Sequence, residues 1–393
     1  MTSEIMMRLF SREQIKIISL VSMTIGMRTL GLFMVLPIFS IYGSIFTNSY
    51  ILIGLALGAY GITMAIFQTP LGILSDRYGR KKIMAVGIIT FIAGNLISAY
   101  PVNIYGLIIG RLIEGAGAVS SAGIALVHEN VSPTTRNISD AIIGISIGFS
   151  FMIGVIIGPL LSIVINYSGI FIIAAIIGGI SFIPLIMIKE SKKIKEFSAN
   201  SGIDKKLMIV SFISFFIYFY MIVFYLYLPY FSLKYVPVSG FYKFLIPAVI
   251  IAGIIGLLIA RPADKNKTVF FSLVSLVVLL ISIPVYFMNP FIKNIYYYYL
   301  AVTLFYSGYI ISETVFPTLI TRLARRDSYG GNLGFYTSMQ HAGVFFGAVI
   351  AGLLIININR DIPVMVLLII SIVFSIFMLY YVTKFREVYL DTH

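Results

Sequence analysis

The chain has 393 residues, of which 59% are hydrophobic and only 11% charged, and its mean hydropathy is +1.01. Soluble domains are about a quarter charged, so this composition excludes one and makes lipid the main solvent. Cysteine is absent, which excludes disulfide and thiolate chemistry; the three histidines, His128, His341 and His393, are far apart in sequence, so neither a metal nor any other cofactor is expected.

A helix needs about 20 mainly apolar residues to cross the hydrocarbon core. Cutting the chain at its polar, charged or Asn/Pro-rich breaks gives twelve such segments: 14–43, 49–74, 82–100, 103–129, 136–165, 168–188, 206–234, 241–262, 267–288, 294–323, 330–356 and 361–384. An even number places both termini on one side. The first sixteen residues carry Glu4, Arg8, Arg12, Glu13 and Lys16 with no small-residue cleavage site, so no removable signal peptide is expected. Lys and Arg number 22 on the terminal side of the segments, against only Lys234, Lys243, Lys293 and Arg360 on the other. That bias predicts cytoplasmic termini in a multi-pass cell-membrane protein. The net charge of +13 then calls for no nucleic-acid partner, since anionic inner-leaflet lipid is attraction enough.

Between segments 6 and 7, the polar stretch from Lys189 to Lys206 divides the chain in the middle. We expect an N-terminal six-helix bundle over 1–188, a cytoplasmic linker over 189–206 and a C-terminal six-helix bundle over 207–393. The halves share a mark. Gly72-Ile-Leu-Ser-Asp76-Arg77-Tyr-Gly79-Arg80-Lys81-Lys82 follows segment 2, and the worn copy running from Gly256 through Arg261 to Asp264 and Lys267 follows segment 8. Each falls in the second loop of its half, as a parallel repeat requires.

The first of these loops resembles the Gly-x-x-x-Asp-Arg-x-Gly-Arg-Lys signature of the major facilitator superfamily. Gly110-Arg111-Leu-Ile-Glu114-Gly115-Ala-Gly117 in segment 4 is similar to that family's Arg-x-x-Gln-Gly-x-Gly motif, with Glu114 in place of glutamine. Gly154-Val-Ile-Ile-Gly158-Pro159 in segment 5 is similar to the Gly-Pro signature of its antiporters, although the trailing glycine pair is replaced by Ser162-Ile163. Arg28 to Pro37 and Ser312-Glu313 to Pro317 resemble the YajR-type branch of drug exporters, without the soluble C-terminal domain of that branch's best-known member, so no regulation through such a domain is expected. The resemblance implies an all-α membrane protein of twelve transmembrane helices in two pseudo-symmetric six-helix bundles, the major facilitator fold. It also implies a secondary transporter rather than an enzyme.

Charges at membrane depth carry the functional expectation, because each costs roughly 2.5–3.5 kcal/mol on insertion scales and must face protein or water. Arg28, Arg111, Glu114 and Glu313 qualify. Arg111 and Glu114 are three apart and can pair on one helix face. Mutual neutralisation that merely permits insertion is the alternative to a transport role. Arg28 has no acid in its own segment, so it is expected to join them in a polar cluster facing a central cavity. Pro317 lies four residues after Glu313 and leaves the Glu313 carbonyl without its helical partner, a polar notch suited to a carboxylate that loads and releases protons. A glutamate simply paired to an arginine is the rival reading. Gln340 and His341 are further cavity candidates; a lone helical histidine is more often a packed hydrogen-bonding residue than a proton carrier.

In the loop motif, Gly72 and Gly79 suggest close approach and a tight turn, and Glu129 stands where the family places the acid that holds the loop. We expect an Asp76–Arg80–Glu129 network, with Arg77 beside it, that latches one access state. The alternative is an inside-positive anchor only. Gly154, Gly158 and Pro159 suggest close helix packing and a bend in segment 5. Tyr296 to Tyr299 suggest an interfacial belt in a chain without tryptophan.

These features point to a proton-coupled exporter, working as a monomer, for small hydrophobic or amphipathic compounds, with small-molecule substrate, protons and membrane lipid as its partners. Two other readings are an organic-anion or metabolite carrier, with Arg28 and Arg111 clasping the anion, and a non-transporting receptor or scaffold.

Overall fold

A computed structural model describes residues 9–132, 135–188, 205–237, 240–262, 267–323 and 329–355, with positions 366 and 369. Among these residues there is no strand, and ten helical runs are long and apolar enough to span a membrane. An eleventh apolar stretch, Lys243–Ile259, is shorter. The expected segment 361–384 and the second loop's Asp264 lie outside the described residues, apart from positions 366 and 369.

The helices are α1 (Arg12–Val35), α2 (Phe39–Ser44), α3 (Tyr50–Tyr78), α4 (Arg80–Ala99), α5 (Ile104–Ala116), α6 (Ser120–Asn130), α7 (Arg136–Val164), α8 (Tyr167–Ile180) and α9 (Phe182–Met187) in the first part. They continue as α10 (Lys205–Ser232), α11 (Tyr242–Pro262), α12 (Thr268–Phe287), α13 (Asn289–Ile292), α14 (Ile295–Leu323) and α15 (Tyr329–Ile355). Ser11 caps α1 reciprocally with Gln14, and Asn103 and Asn166 cap α5 and α8 by accepting from backbone N–H groups that no helical carbonyl can satisfy.

Three expected spans are interrupted. Segment 1 passes through a 3-10 turn, Leu36–Ile38, at Pro37, which has no N–H to continue the helical ladder. Segment 6 is split at Ser181, whose hydroxyl donates to the Gly178 carbonyl at 2.6 Å. Segment 4 breaks between Ala116 and Ser120, where the Gly117 N–H closes a tight turn onto the Glu114 carbonyl at 3.2 Å. A Cβ on Gly115 or Gly117 would run into the Tyr60 or Gly87 carbonyl, so these glycines let α5 and the break lie against the backbones of α3 and α4. Pro159 and Pro317 lie inside uninterrupted helices.

Packing follows small residues. In the first part α1 packs on α7 and α8, and α5 on α3 and α4; in the second, α10 packs on α15, and α14 on α11 and α12. The two parts meet where α3 lies against α15 and where α7 reaches α11 and α14. Along α3, a Cβ on Gly54, Gly58 or Gly61 would run into α15 at Ala348, Phe345 or His341. The expected tyrosine belt is divided by this packing: Tyr296 is exposed, but Tyr298 is fully buried, with its hydroxyl 2.7 Å from Ser232 Oγ. Helical geometry turns adjacent residues to different faces, so four consecutive tyrosines on a packed helix do not share one environment.

Candidate transport site

Two polar centres stand near the middle of the helices. In the first, Arg111 pairs with Glu114 one turn along α5, and both are fully buried. The Arg111 guanidinium lies over the Tyr60 ring at 4.4 Å and the Phe39 ring at 5.3 Å. Arg28, only 2% exposed, lies over Phe91 at 5.4 Å and directs Nη2 to Met64 Sδ at 3.9 Å. Ring faces stabilise a guanidinium where water is excluded. Among the described residues Arg28 makes no ion pair, and Glu114 acts on it at longer range. Its Nε, and Nε and Nη2 of Arg111, are buried without a hydrogen-bond partner among the described residues. The cluster is therefore sealed rather than facing an open cavity. Its two guanidiniums and one carboxylate leave an excess of positive charge.

The second centre lies where α10, α14 and α15 converge. Glu313 is partly exposed and accepts from the Tyr218 hydroxyl at 3.0 Å through Oε2. Tyr309, one turn before Glu313 on α14, lies edge-to-face with Tyr218 at 6.0 Å. Among the described residues no cation lies within ion-pair distance of Glu313; its described partner is the Tyr218 hydroxyl. His341 Nδ1 is 2.7 Å from the Thr337 carbonyl, and since a carbonyl only accepts, that nitrogen carries the proton. The His341 ring is 6.2 Å from that of Tyr218. Gln340, the next candidate, is buried at 6%.

On the face where α3 ends, Arg80 is the hub. It pairs with Asp76 and reaches Glu129 Oε1 through Nε at 2.9 Å, while Nη1 donates to the Gly72 carbonyl at 3.2 Å and to Ser75 Oγ at 2.5 Å. Gly79 has φ +100°, the left-handed region open to glycine, and so turns α3 into α4. Gly72 works differently from expectation. A Cβ there would meet Ser121 at an ordinary 3.4 Å, so it is the Gly72 carbonyl and not its missing side chain that the network uses. Arg77 is exposed beside Tyr78 and takes no part.

Sequence reasoning missed two neighbours of this hub. His128 Nε2 lies 2.7 Å from Asp140 Oδ1, joining α6 to α7, and Lys81 Nζ donates to the Ile186 and Ile188 carbonyls at 2.8 and 3.0 Å. The only available signal was a basic or imidazole side chain next to each hub residue in sequence, which does not name a partner.

The four-residue spacing along α7 separates two faces. Gly154 and Gly158 face α1, where a Cβ would run into the Leu30 or Met34 carbonyl. Gly144, Gly148 and Met152 share another face. Met152 fills the space at Gly253 of α11, whereas a Cβ on Gly144 or Gly148 would meet nothing within 4 Å among the described residues. The contact between α7 and the second part therefore opens toward the end of the bundle that carries the Arg80 hub.

Long apolar helices, charges sealed at membrane depth and a bundle split along one face define a polytopic membrane transport protein. The Major Facilitator Superfamily profile matches residues 21–348, and the chain belongs to that family. It is a transporter and not an enzyme. It is 30% identical over 334 residues to an uncharacterised transporter of Buchnera aphidicola subsp. Acyrthosiphon pisum, covering 82% of this chain and 85% of that one. With the inner membrane transport protein YajR of Escherichia coli it shares 29% identity over 342 residues, 83% of this chain and 74% of that one. A class H tetracycline resistance protein of Pasteurella multocida is 32% identical over 149 residues, 37% of each chain. In fold, the chain is similar to the E. coli xylose transporter XylE in a partially occluded inward-open conformation, with a TM-score of 0.78 and 13% identity over 94% of this chain and 98% of that one.

Proposed function

We propose that this protein is a proton-coupled exporter of small hydrophobic or amphipathic compounds that works by alternating access in the cell membrane, with both termini in the cytoplasm. One observation carries the reading: Glu313 is a partly exposed carboxylate at mid-helix whose described partner is a tyrosine hydroxyl and not a cation. A carboxylate free of a cation can take up a proton and release it as access changes, whereas Glu114 is clamped to Arg111. The reading ranks Glu313 ahead of Glu114. Inward movement of each proton supplies about 2.3 kcal/mol per 100 mV and about 1.4 kcal/mol per pH unit, enough for concentrative export.

The sequence similarity to a tetracycline resistance protein supports outward transport. The Arg80 hub, which joins α3, α4 and α6 at the end where α7 is uncovered, serves as the latch between access states. An organic-anion carrier would need both arginines unpaired, and the pairing of Arg111 with Glu114 weighs against it. A scaffold would need no buried charge.

The test uses purified protein in liposomes with an imposed pH gradient. Lipophilic drugs should dissipate the gradient, and Glu313→Gln should abolish this at normal incorporation. Dissipation that persists in Glu313→Gln but vanishes in Glu114→Gln would move the proton site, and response to organic anions alone would remove the export reading.

A further inference from the structure

The two polar centres differ in the sign of the charge they offer. Arg28 and Arg111 are 2% and 0% exposed, enclosed by aromatic rings together with Glu114. Glu313 is partly exposed, and among the described residues no donor reaches its Oε1 and no cation lies within ion-pair distance. A bare carboxylate at membrane depth is costly and calls for a counter-charge. The described chain supplies none.

A chain of aromatic rings leads from the same carboxylate to the first part of the bundle. Tyr218, which donates to it, lies edge-to-face with Tyr309 at 6.0 Å, and Tyr309 is 5.0 Å from Phe151 of α7, across the contact between the two parts of the bundle. His341 completes the wall at 6.2 Å from Tyr218. Ring faces attract a cation whose charge is spread over apolar groups, and the rings and helices supply apolar surface for the rest of it. An anion or a strongly hydrated small cation would gain little from such walls.

We propose that Glu313, walled by Tyr218, Tyr309 and His341, is a binding site for lipophilic organic cations, which makes them the substrate class. This rests on the reading of the space beside Glu313 as part of the transport path. Tyr309 packs on Phe151 of the first part of the bundle, so a cation held at Glu313 and Tyr218 lies next to the contact that must open and close.

Two probes of the same shape and opposite charge test this: tetraphenylphosphonium and tetraphenylborate, measured at equilibrium on the full chain in lipid nanodiscs. The phosphonium should bind, Glu313→Gln should weaken it by about tenfold or more, and Glu313→Asp should restore most of the loss. The borate should neither bind comparably nor compete. Glu313→Gln removes a charge without a cation partner and is expected to fold; Tyr218→Leu, which should weaken binding severalfold, is the second arm. Equal binding of the borate, or phosphonium binding indifferent to both substitutions, overturns the proposal. Because no gradient is present, Glu313-dependent binding without proton exchange in liposomes supports this site while removing proton coupling. Drug-driven proton exchange without phosphonium binding does the reverse.

Discussion

Arg80 Nε and Glu129 Oε1, 49 residues apart in the chain, meet at 2.9 Å and tie the first turn of α4 to the last turn of α6. The same guanidinium also holds Asp76, Ser75 and the Gly72 carbonyl, so one side chain joins three helices at the end where α7 is uncovered. A planar fork with five donors can do this; an ammonium cannot hold the same set at once. Arg80→Glu should abolish transport with normal membrane abundance, and Arg80→Lys should lower the rate severalfold. Drug efflux normalised to protein in the membrane measures both, and a fully active Arg80→Glu would remove the latch.

Among the described residues Glu114 is the only carboxylate in the sealed cluster with Arg28 and Arg111. Removing it leaves buried guanidinium charge uncompensated, which costs about 3–5 kcal/mol when one partner of a buried pair is lost. Glu114→Gln should therefore lower the thermal melting temperature of the detergent-solubilised protein markedly, whereas Glu313→Gln, which breaks no ion pair, should leave it nearly unchanged. Equal effects on melting would contradict this division of roles.

Gly158 faces the Met34 carbonyl so closely that a methyl group cannot enter without moving α1 or α7. Gly158→Ala should destabilise by about 1–3 kcal/mol, the usual range for overpacking. Gly144→Ala, into open space, should be neutral in the same melting assay.

Gly144 and Gly148 share a face with Met152, which already touches Gly253. If access alternates by rocking, this uncovered face must be covered in the other state, and a large side chain there blocks it. Gly148→Leu should fold normally yet hold the bundle open at the Arg80 end and stop transport. The chain has no cysteine, so single cysteines placed along this face can be labelled without background. Labelling that still fluctuates with substrate in Gly148→Leu would contradict the assignment.

Composition alone was enough to place this chain in lipid, because 59% hydrophobic residues and 11% charged ones have no soluble solution. The rough limits of the described spans followed from the length a helix needs, and the Arg80 hub was legible because Asp76, Gly79 and Arg80 stand close together in a loop motif whose family resemblance also marks Glu129. Tertiary structure decided what depends on distance between helices. Arg28 lies over Phe91, Glu313 takes a tyrosine hydroxyl from α10, His128 meets Asp140, and Tyr298 is buried while Tyr296 is exposed. The reason is physical: hydrophobic patterning distinguishes lipid from water, but in a membrane every face of a helix is apolar. Which face meets a partner is then set by small residues and by the few polar side chains that must find one another across the bundle.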